Sequence, residues 1–168
     1  RMHFGFESDA RKKHLLRYQN SPMYVQDVYD YDTYGNQTAH KRQDTGAATA
    51  IRSTRAYTSN GDKLASATDP RGLTVSYAYN NNDTTSKVTM ANGQAVTYSY
   101  DAQKRITAAQ ASNGNGNYKN AYTYENDRIK TVSHNTTSDT NDVTYTIGYD
   151  AFGKPTTVSV GSQVLSTN

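Results

Sequence analysis

An all-β fold of repeated antiparallel β-hairpins is predicted by three features of the sequence. A Tyr-x-Tyr-Asp-x-x-Gly unit recurs along it, apolar and hydroxyl residues alternate with period two ahead of the unit, and turn residues separate the alternating stretches. Period two puts the apolar set on one face of a strand.

Composition limits what such strands can pack. Leu, Ile, Val and Phe number only 22 of 168 residues, a level that alone reads as disorder. Net charge is just +3, however, and there are 15 tyrosines. Each can bury about 150–250 Å² of ring and stem, and Tyr and Thr both favour strands. The expectation is an ordered sheet whose thin core is made by tyrosine.

The repeat units begin at Tyr29-Asp30-Tyr31-Asp32-Thr33-Tyr34-Gly35 and close with Tyr149-Asp150-Ala151-Phe152-Gly153. Between them lie looser copies. Tyr57-Thr58-Ser59-Asn60-Gly61 loses the Asp, and Tyr77-Ala78-Tyr79-Asn80 lacks the glycine. Tyr98-Ser99-Tyr100-Asp101 has Lys104 at the glycine position, and Tyr122-Thr123-Tyr124-Glu125 drops it altogether. The anchor tyrosines 31, 57, 79, 100, 124 and 149 are 21 to 26 residues apart. A fixed period of this length marks a repeat array, each unit a hairpin that cannot bury its own face.

Within a unit, Asp at the first turn position accepts local backbone hydrogen bonds and Gly at the fourth supplies φ > 0. Gly35, Gly61 and Gly153 are therefore expected in left-handed geometry. A left-handed Lys104 would cost roughly 1–2 kcal/mol, so its turn is expected to differ in type. Between units, Asp69-Pro70-Arg71-Gly72 reads as a turn with φ pre-set by proline. Asn92-Gly93 is a strong hairpin signal, and Gly161-Ser162 reads as a tight turn. Residues 113–117 and 135–142 read as longer, mobile loops. Residues 1–28 fit the period poorly, with Leu15, Leu16 and Tyr18 leaning to strand. The organisation is thus a poorly matching segment at 1–28 and about six hairpin repeats over 29–168.

The repeat unit resembles the YD repeat of the RHS (rearrangement hotspot) proteins, which also occurs in insecticidal toxin-complex proteins and teneurins. The copy from Tyr57 to Tyr79 carries Gly61, Leu64, Thr68-Asp69-Pro70, Gly72 and Tyr77-x-Tyr79, and the resemblance spans roughly residues 29–168. It implies an extended sheet that spirals into a hollow shell around a C-terminal effector or toxin domain of a secreted or cell-surface bacterial protein. The partners it implies are the remainder of the polypeptide and that enclosed domain. The family's self-cleaving core segment is not recognisable, since this chain has no Trp and only Pro22, Pro70 and Pro155.

Candidate chemistry is sparse, and the expectation is a non-enzyme without cofactor or metal. There is no cysteine, and His3, His14, His40 and His134 show no ligand spacing. Asp30 and Asp32 read as a turn cap rather than a carboxylate pair. No Gly-x-Ser-x-Gly elbow occurs, and the glycines at 114 and 116 lack the Lys and Ser/Thr of a phosphate cradle. Beyond residue 18 the chain carries 13 basic and 13 acidic groups, which gives no nucleic-acid signature. The longest apolar runs are too short for a membrane span. The cluster Arg11-Lys12-Lys13-His14 reads as a solvated face, with wall or surface glycan as its rival partner. Tyrosine rows read as core, with sugar stacking as the alternative. The chain begins Arg1-Met2-His3, stops inside the repeat phase and has no cap at either end, so it reads as a fragment of a longer protein, and exposed sheet edges would let it self-associate.

Overall fold

A computed structural model describes residues 2–9, 12, 14–20, 25–44, 49–113, 116–135 and 143–167. The prediction of an all-β fold holds: fifteen strands and no helix occur among the described residues. The chain divides into two compact units, Arg1–Tyr77 and Ala78–Asn168.

In the first unit the strands are β1 (His3–Phe6), β2 (Leu16–Asn20), β3 (Val25–Tyr31), β4 (Gln37–Asp44), β5 (Ile51–Tyr57) and β6 (Leu64–Thr68), followed by β7 (Thr74–Tyr79), which reaches its boundary. Each pairs antiparallel with the next. Leu16 and Tyr18 lie on a strand, in the direction the sequence leans, with Leu15 just before it.

The second unit holds β8 (Thr85–Thr89), β9 (Ala95–Tyr100), β10 (Ile106–Asn113), β11 (Gly116–Glu125), β12 (Arg128–Asn135), β13 (Val143–Tyr149), β14 (Pro155–Val160) and β15 (Gln163–Thr167). These too pair antiparallel in sequence order. Cross-strand pairs such as Tyr98↔Ala109, Tyr122↔Val132 and Val132↔Tyr145 put aromatic and aliphatic side chains on one face. The other face carries hydroxyl pairs: Thr123 and Thr131 lie 2.6 Å apart, Ser133 and Thr144 2.9 Å.

Two expectations need correction. Tyrosines do not form an enclosed core: the buried residues among those described are Ala39, Ala95, Ser133 and Asn135. A single layer of antiparallel strands offers no second layer to close over an aromatic ring, so most tyrosines are half-buried against neighbouring strands. Second, β10 and β11 pair out to Asn113↔Gly116, which shortens the long loop expected at 113–117; residues 114 and 115 lie outside the described set. Most of the loop expected at 135–142, along with Arg11 and Lys13 of the basic cluster, also lies outside it.

Candidate functional site

The recurrent site is the turn that closes each Tyr-x-Tyr strand. At Asp32 the backbone N–H donates to the Asn36 carbonyl (2.9 Å) and the carbonyl accepts from Gly35 N–H (3.2 Å). The Asp32 carboxylate accepts from the N–H groups of Tyr34 (2.9 Å) and Asn36 (2.8 Å). The same double capping occurs at Asp101, from Gln103 and Arg105, and at Asp150, from Phe152 and Lys154. Asp69, in the turn between units of the repeat, takes the N–H groups of Arg71 and Leu73 around Pro70. Burial raises the carboxyls of Asp32 and Asp101, but the backbone and side-chain hydrogen bonds they accept outweigh it and hold both below the ordinary value. The hydrogen bond from Arg71, followed by the N–H of Leu73, holds Asp69 low.

The fourth turn position is left-handed, as expected: φ is 90° at Gly35, 75° at Gly61 and 81° at Gly153, with Gly72 at 84°. Lys104 corrects an expectation. It adopts φ 63° and donates its N–H to the Asp101 carbonyl at 3.0 Å, the same turn as its glycine counterparts. The paired carboxylate bonds of Asp101 and the Arg105 ion pair at 2.7 Å offset the strain that should have selected another turn. Asp83 takes the fourth position of the turn that begins at Asn80, with φ 73° and its N–H on the Asn80 carbonyl at 3.0 Å. At Tyr124 the turn shrinks to Asn126-Asp127, both left-handed, between paired Glu125 and Arg128. Asn92-Gly93 does close a hairpin, though only Gly93 is left-handed and its N–H bonds Met90.

The second element is a tyrosine staple. The phenol of Tyr31 donates to the Leu16 carbonyl (2.8 Å) and that of Tyr57 to Gln37 (3.2 Å). Tyr100 donates to Thr85 (2.8 Å), Tyr124 to Ile106 (2.7 Å) and Tyr149 to Ile129 (2.8 Å). Tyr79, the remaining anchor, is half-buried on β7 and is also engaged. Gln37, Ile106 and Ile129 are the residues paired with the preceding anchors Tyr31, Tyr100 and Tyr124, each beside a register shift. A bulge interrupts the ladder and frees polar backbone groups, and the next tyrosine hydroxyl satisfies one of them. Burial, then the neighbouring Tyr29 and Glu7, raises the Tyr31 phenol; burial and Tyr98 raise that of Tyr100.

Turns also reach forward to the next turn. The Tyr34 ring covers the α-carbon of Gly61 and its hydroxyl donates to Ser59 O at 3.2 Å. Arg105 bonds Asp127 at 2.7 Å with its guanidinium 4.3 Å from the Tyr124 ring centre. Arg128 lies over Gly153 and 5.8 Å from the Tyr149 ring centre.

The first tyrosines of the pairs behave differently. Tyr29 stacks on His40 at 4.9 Å, and His40 bonds Asp27 at 2.8 Å. Tyr77 is half-buried on β7. Tyr98 and Tyr122 join Tyr124, Ile106, Ala109 and Ile129 around a concavity of about 350 Å³. Neither the staple acceptors nor the Tyr34–Gly61 contact was foreseen from sequence, although the constant tyrosine spacing is the signal of the staple. His134 bonds Asn120 at 2.8 Å. Among the described residues no three His, Asp or Glu side chains gather as a metal-holding group, and no helix is long and apolar enough to cross a membrane.

This geometry defines a β-hairpin repeat protein in which five of the anchor tyrosines are each hydrogen-bonded to a strand of the hairpin before. Residues 81–115 match the family model RHS Repeat, so the chain carries the RHS repeat that its Tyr-x-Tyr-Asp units resemble. No curated protein matches the chain. Among solved structures it is similar to a chain in the crystal structure of TcdB2-TccC3-Cdc42, at 13% identity and a TM-score of 0.50 over 88% of this chain. TcdB2-TccC3 without its hypervariable C-terminal region gives the same values. The likeness is one of fold, and this chain spans 10% of the length of either relative.

Proposed function

We propose that the chain is a non-catalytic segment of an RHS/YD-repeat wall that encloses an effector or toxin domain of its own polypeptide, in a secreted or surface-borne bacterial protein. The observation that carries this reading is the staple itself. The same phenol-to-carbonyl bond, at the same place in successive hairpins, serves to propagate a sheet. The recurrent geometry joins units, and the capping aspartates accept from backbone N–H groups. In this reading Tyr31, Tyr57, Tyr79, Tyr100, Tyr124 and Tyr149, with Asp32, Asp69, Asp101, Asp150 and the turn glycines, are the positions that define the wall. Likeness in fold to TcdB2-TccC3 supports a wall-forming role.

The test uses the full-length parent with its enclosed domain in place. Protease should spare that domain in the wild type and degrade it after Tyr100→Ala and Tyr124→Ala together. Equal degradation in both would overturn the containment role.

The concavity lined by Tyr98, Tyr122 and Tyr124 favours a second reading, a platform on which a surface glycan stacks. Saturable quenching of tyrosine fluorescence by soluble cell-wall oligosaccharide, lost in Tyr122→Ala, would support it. No response up to millimolar sugar would remove it.

A further inference from the structure

The sequence has four Asn-Gly steps. Two of them, Asn60-Gly61 and Asn92-Gly93, lie within the described residues, and the other two involve residues 114 and 115, which do not. The two described steps fill the same places in the same kind of turn. Gly61 and Gly93 are left-handed, at φ 75° and 82°. Each donates its N–H to the carbonyl three residues back, Thr58 at 2.8 Å and Met90 at 3.0 Å. With the backbone alike, any difference in reactivity must come from the surroundings, and these differ in two ways. The Asn60 Oδ1 lies 2.8 Å from the Thr58 hydroxyl, which draws the amide back to the start of its turn. The Asn92 Oδ1 instead accepts the N–H of Gln94 at 3.1 Å, and its Nδ2 donates to Gln94 Oε1 at 3.0 Å. Those bonds fold the Asn92 amide forward along the Gly93 peptide. Cover differs as well. Gly61 is half-buried beneath the Tyr34 ring, whose hydroxyl donates to Ser59 O, and its own carbonyl accepts from Asn36 Nδ2. Gly93 is exposed, and a Cβ placed on it would meet nothing within 4 Å.

We propose that Asn92 is a site of spontaneous deamidation, a covalent change built into the β8–β9 hairpin, and that the Tyr34 ring shields Asn60 from the same reaction. The Gly93 backbone nitrogen attacks Cγ of Asn92 and forms a new C–N bond. The Gln94 N–H stabilises the negative charge that develops on Oδ1. The Cγ–Nδ2 bond then breaks, the departing nitrogen takes up the proton lost by the Gly93 nitrogen, and ammonia leaves a five-membered succinimide. Solvent water adds to one or other imide carbonyl and opens the ring to aspartate or isoaspartate. No group is oxidised or reduced. Glycine suits the attacking position because a side chain there would crowd the nitrogen. At Asn60 the same attack is opposed twice, since the amide is turned away and the peptide lies under an aromatic ring. Aspartate at position 92 keeps the backbone path and an acceptor for Gln94. Isoaspartate lengthens the path by one carbon between the paired residues Thr89 and Ala95, so the hairpin loosens as the protein ages. This inference rests on the chemistry of two turns and not on an enclosed cargo, so its failure leaves the protease test standing.

The experiment incubates the folded chain at mildly alkaline pH and follows the peptide around each step by mass spectrometry after proteolysis. Asn92 should convert about tenfold faster than Asn60, which corresponds to about 1.4 kcal/mol of barrier. In concentrated urea, where both turns are open, the two should convert at equal rates. Tyr34→Ala should speed the conversion of Asn60 several-fold, while Tyr34→Phe, which keeps the ring, should leave it slow. Asn60 converting as fast as Asn92 in the folded chain would overturn the proposal, as would a difference that persists undiminished in urea. An Asn60 that stays slow in Tyr34→Ala would overturn the shielding by the ring.

Discussion

The Tyr149 hydroxyl donates to the Ile129 carbonyl at 2.8 Å, and Ile129 is itself the residue paired with the preceding anchor, Tyr124. The staples of Tyr57, Tyr124 and Tyr149 thus end beside the anchor of the hairpin before, and the bonds run from later hairpins back to earlier ones. A single layer of strands without an enclosed core needs such links, because its strand pairs are not clamped by a second layer. The phenols of Tyr57, Tyr124 and Tyr149 also supply a donor to a backbone carbonyl beside a register shift of the hairpin before.

Removing one hydroxyl should therefore cost one hydrogen bond. Tyr149→Phe or Tyr124→Phe keeps the ring and should lower stability by about 1 kcal/mol. Tyr145, whose hydroxyl makes no hydrogen bond among the described residues and which is 38% exposed, is the control. Urea unfolding of the three variants would check this. Equal midpoints for Tyr149→Phe and Tyr145→Phe would remove the staple as a source of stability.

The turn glycines separate backbone strain from crowding. Gly61 and Gly72 are both left-handed, but an added Cβ meets the Tyr34 ring at Gly61 and nothing within 4 Å at Gly72. Both alanine variants should lose about 1 kcal/mol to the left-handed backbone, and Gly61→Ala should lose more. Lys104→Gly should gain about 1 kcal/mol by relieving φ 63°. Thermal unfolding of the three proteins gives the ranking. A neutral Lys104→Gly would mean that the left-handed backbone at Lys104 carries no net cost.

Much of the fold was legible because its signals are local. Alternation in Val96, Tyr98 and Tyr100 fixes a strand and its face, and Asp-x-x-Gly fixes a turn. What the sequence hid was set by contacts 15 to 25 residues apart. The Ile106 carbonyl carries no side-chain signature of an acceptor, and the partner of Tyr34 depends on a register that no local pattern states. Lys104 misled for a related reason: its intrinsic left-handed cost was visible, while the Arg105 bridge to Asp101 and Asp127 that offsets it was not. The tyrosine core failed because period two reveals which face is apolar but not whether anything covers it.

Acid should weaken the turns. Asp32, Asp69 and Asp101 all sit below the ordinary carboxyl value of 3.8 in the folded protein. A depressed folded value means that the unfolded chain binds protons first. The stability contributed by these carboxylates is thus fully present above pH 3.8 or so, and is lost as pH falls below it through the folded values. Asp101→Asn should flatten the acid limb of a stability–pH profile measured between pH 2 and 6. A profile identical to that of the wild type would show that its turn bonds do not depend on charge.

Alkali should act on the staples with the opposite sign. The phenols of Tyr31 and Tyr100 lie above the ordinary value of 10.0, raised first by burial and then by neighbouring tyrosines, with Glu7 adding to the effect at Tyr31. Each hydroxyl must keep its proton to donate to Leu16 O or Thr85 O. Because the folded value is raised, the stability they contribute is complete below pH 10 and is lost as pH climbs through the folded value. The wild type should therefore lose midpoint temperature above pH 10 more steeply than the double variant Tyr31→Phe, Tyr100→Phe. That variant starts less stable but has no such protons to lose. Monitoring phenolate absorbance alongside circular dichroism would follow both processes, since Tyr31 and Tyr100 should ionise only as the sheet opens. Phenolate formation that reaches all tyrosines before any loss of strand signal would show that the two staples contribute nothing to holding the sheet.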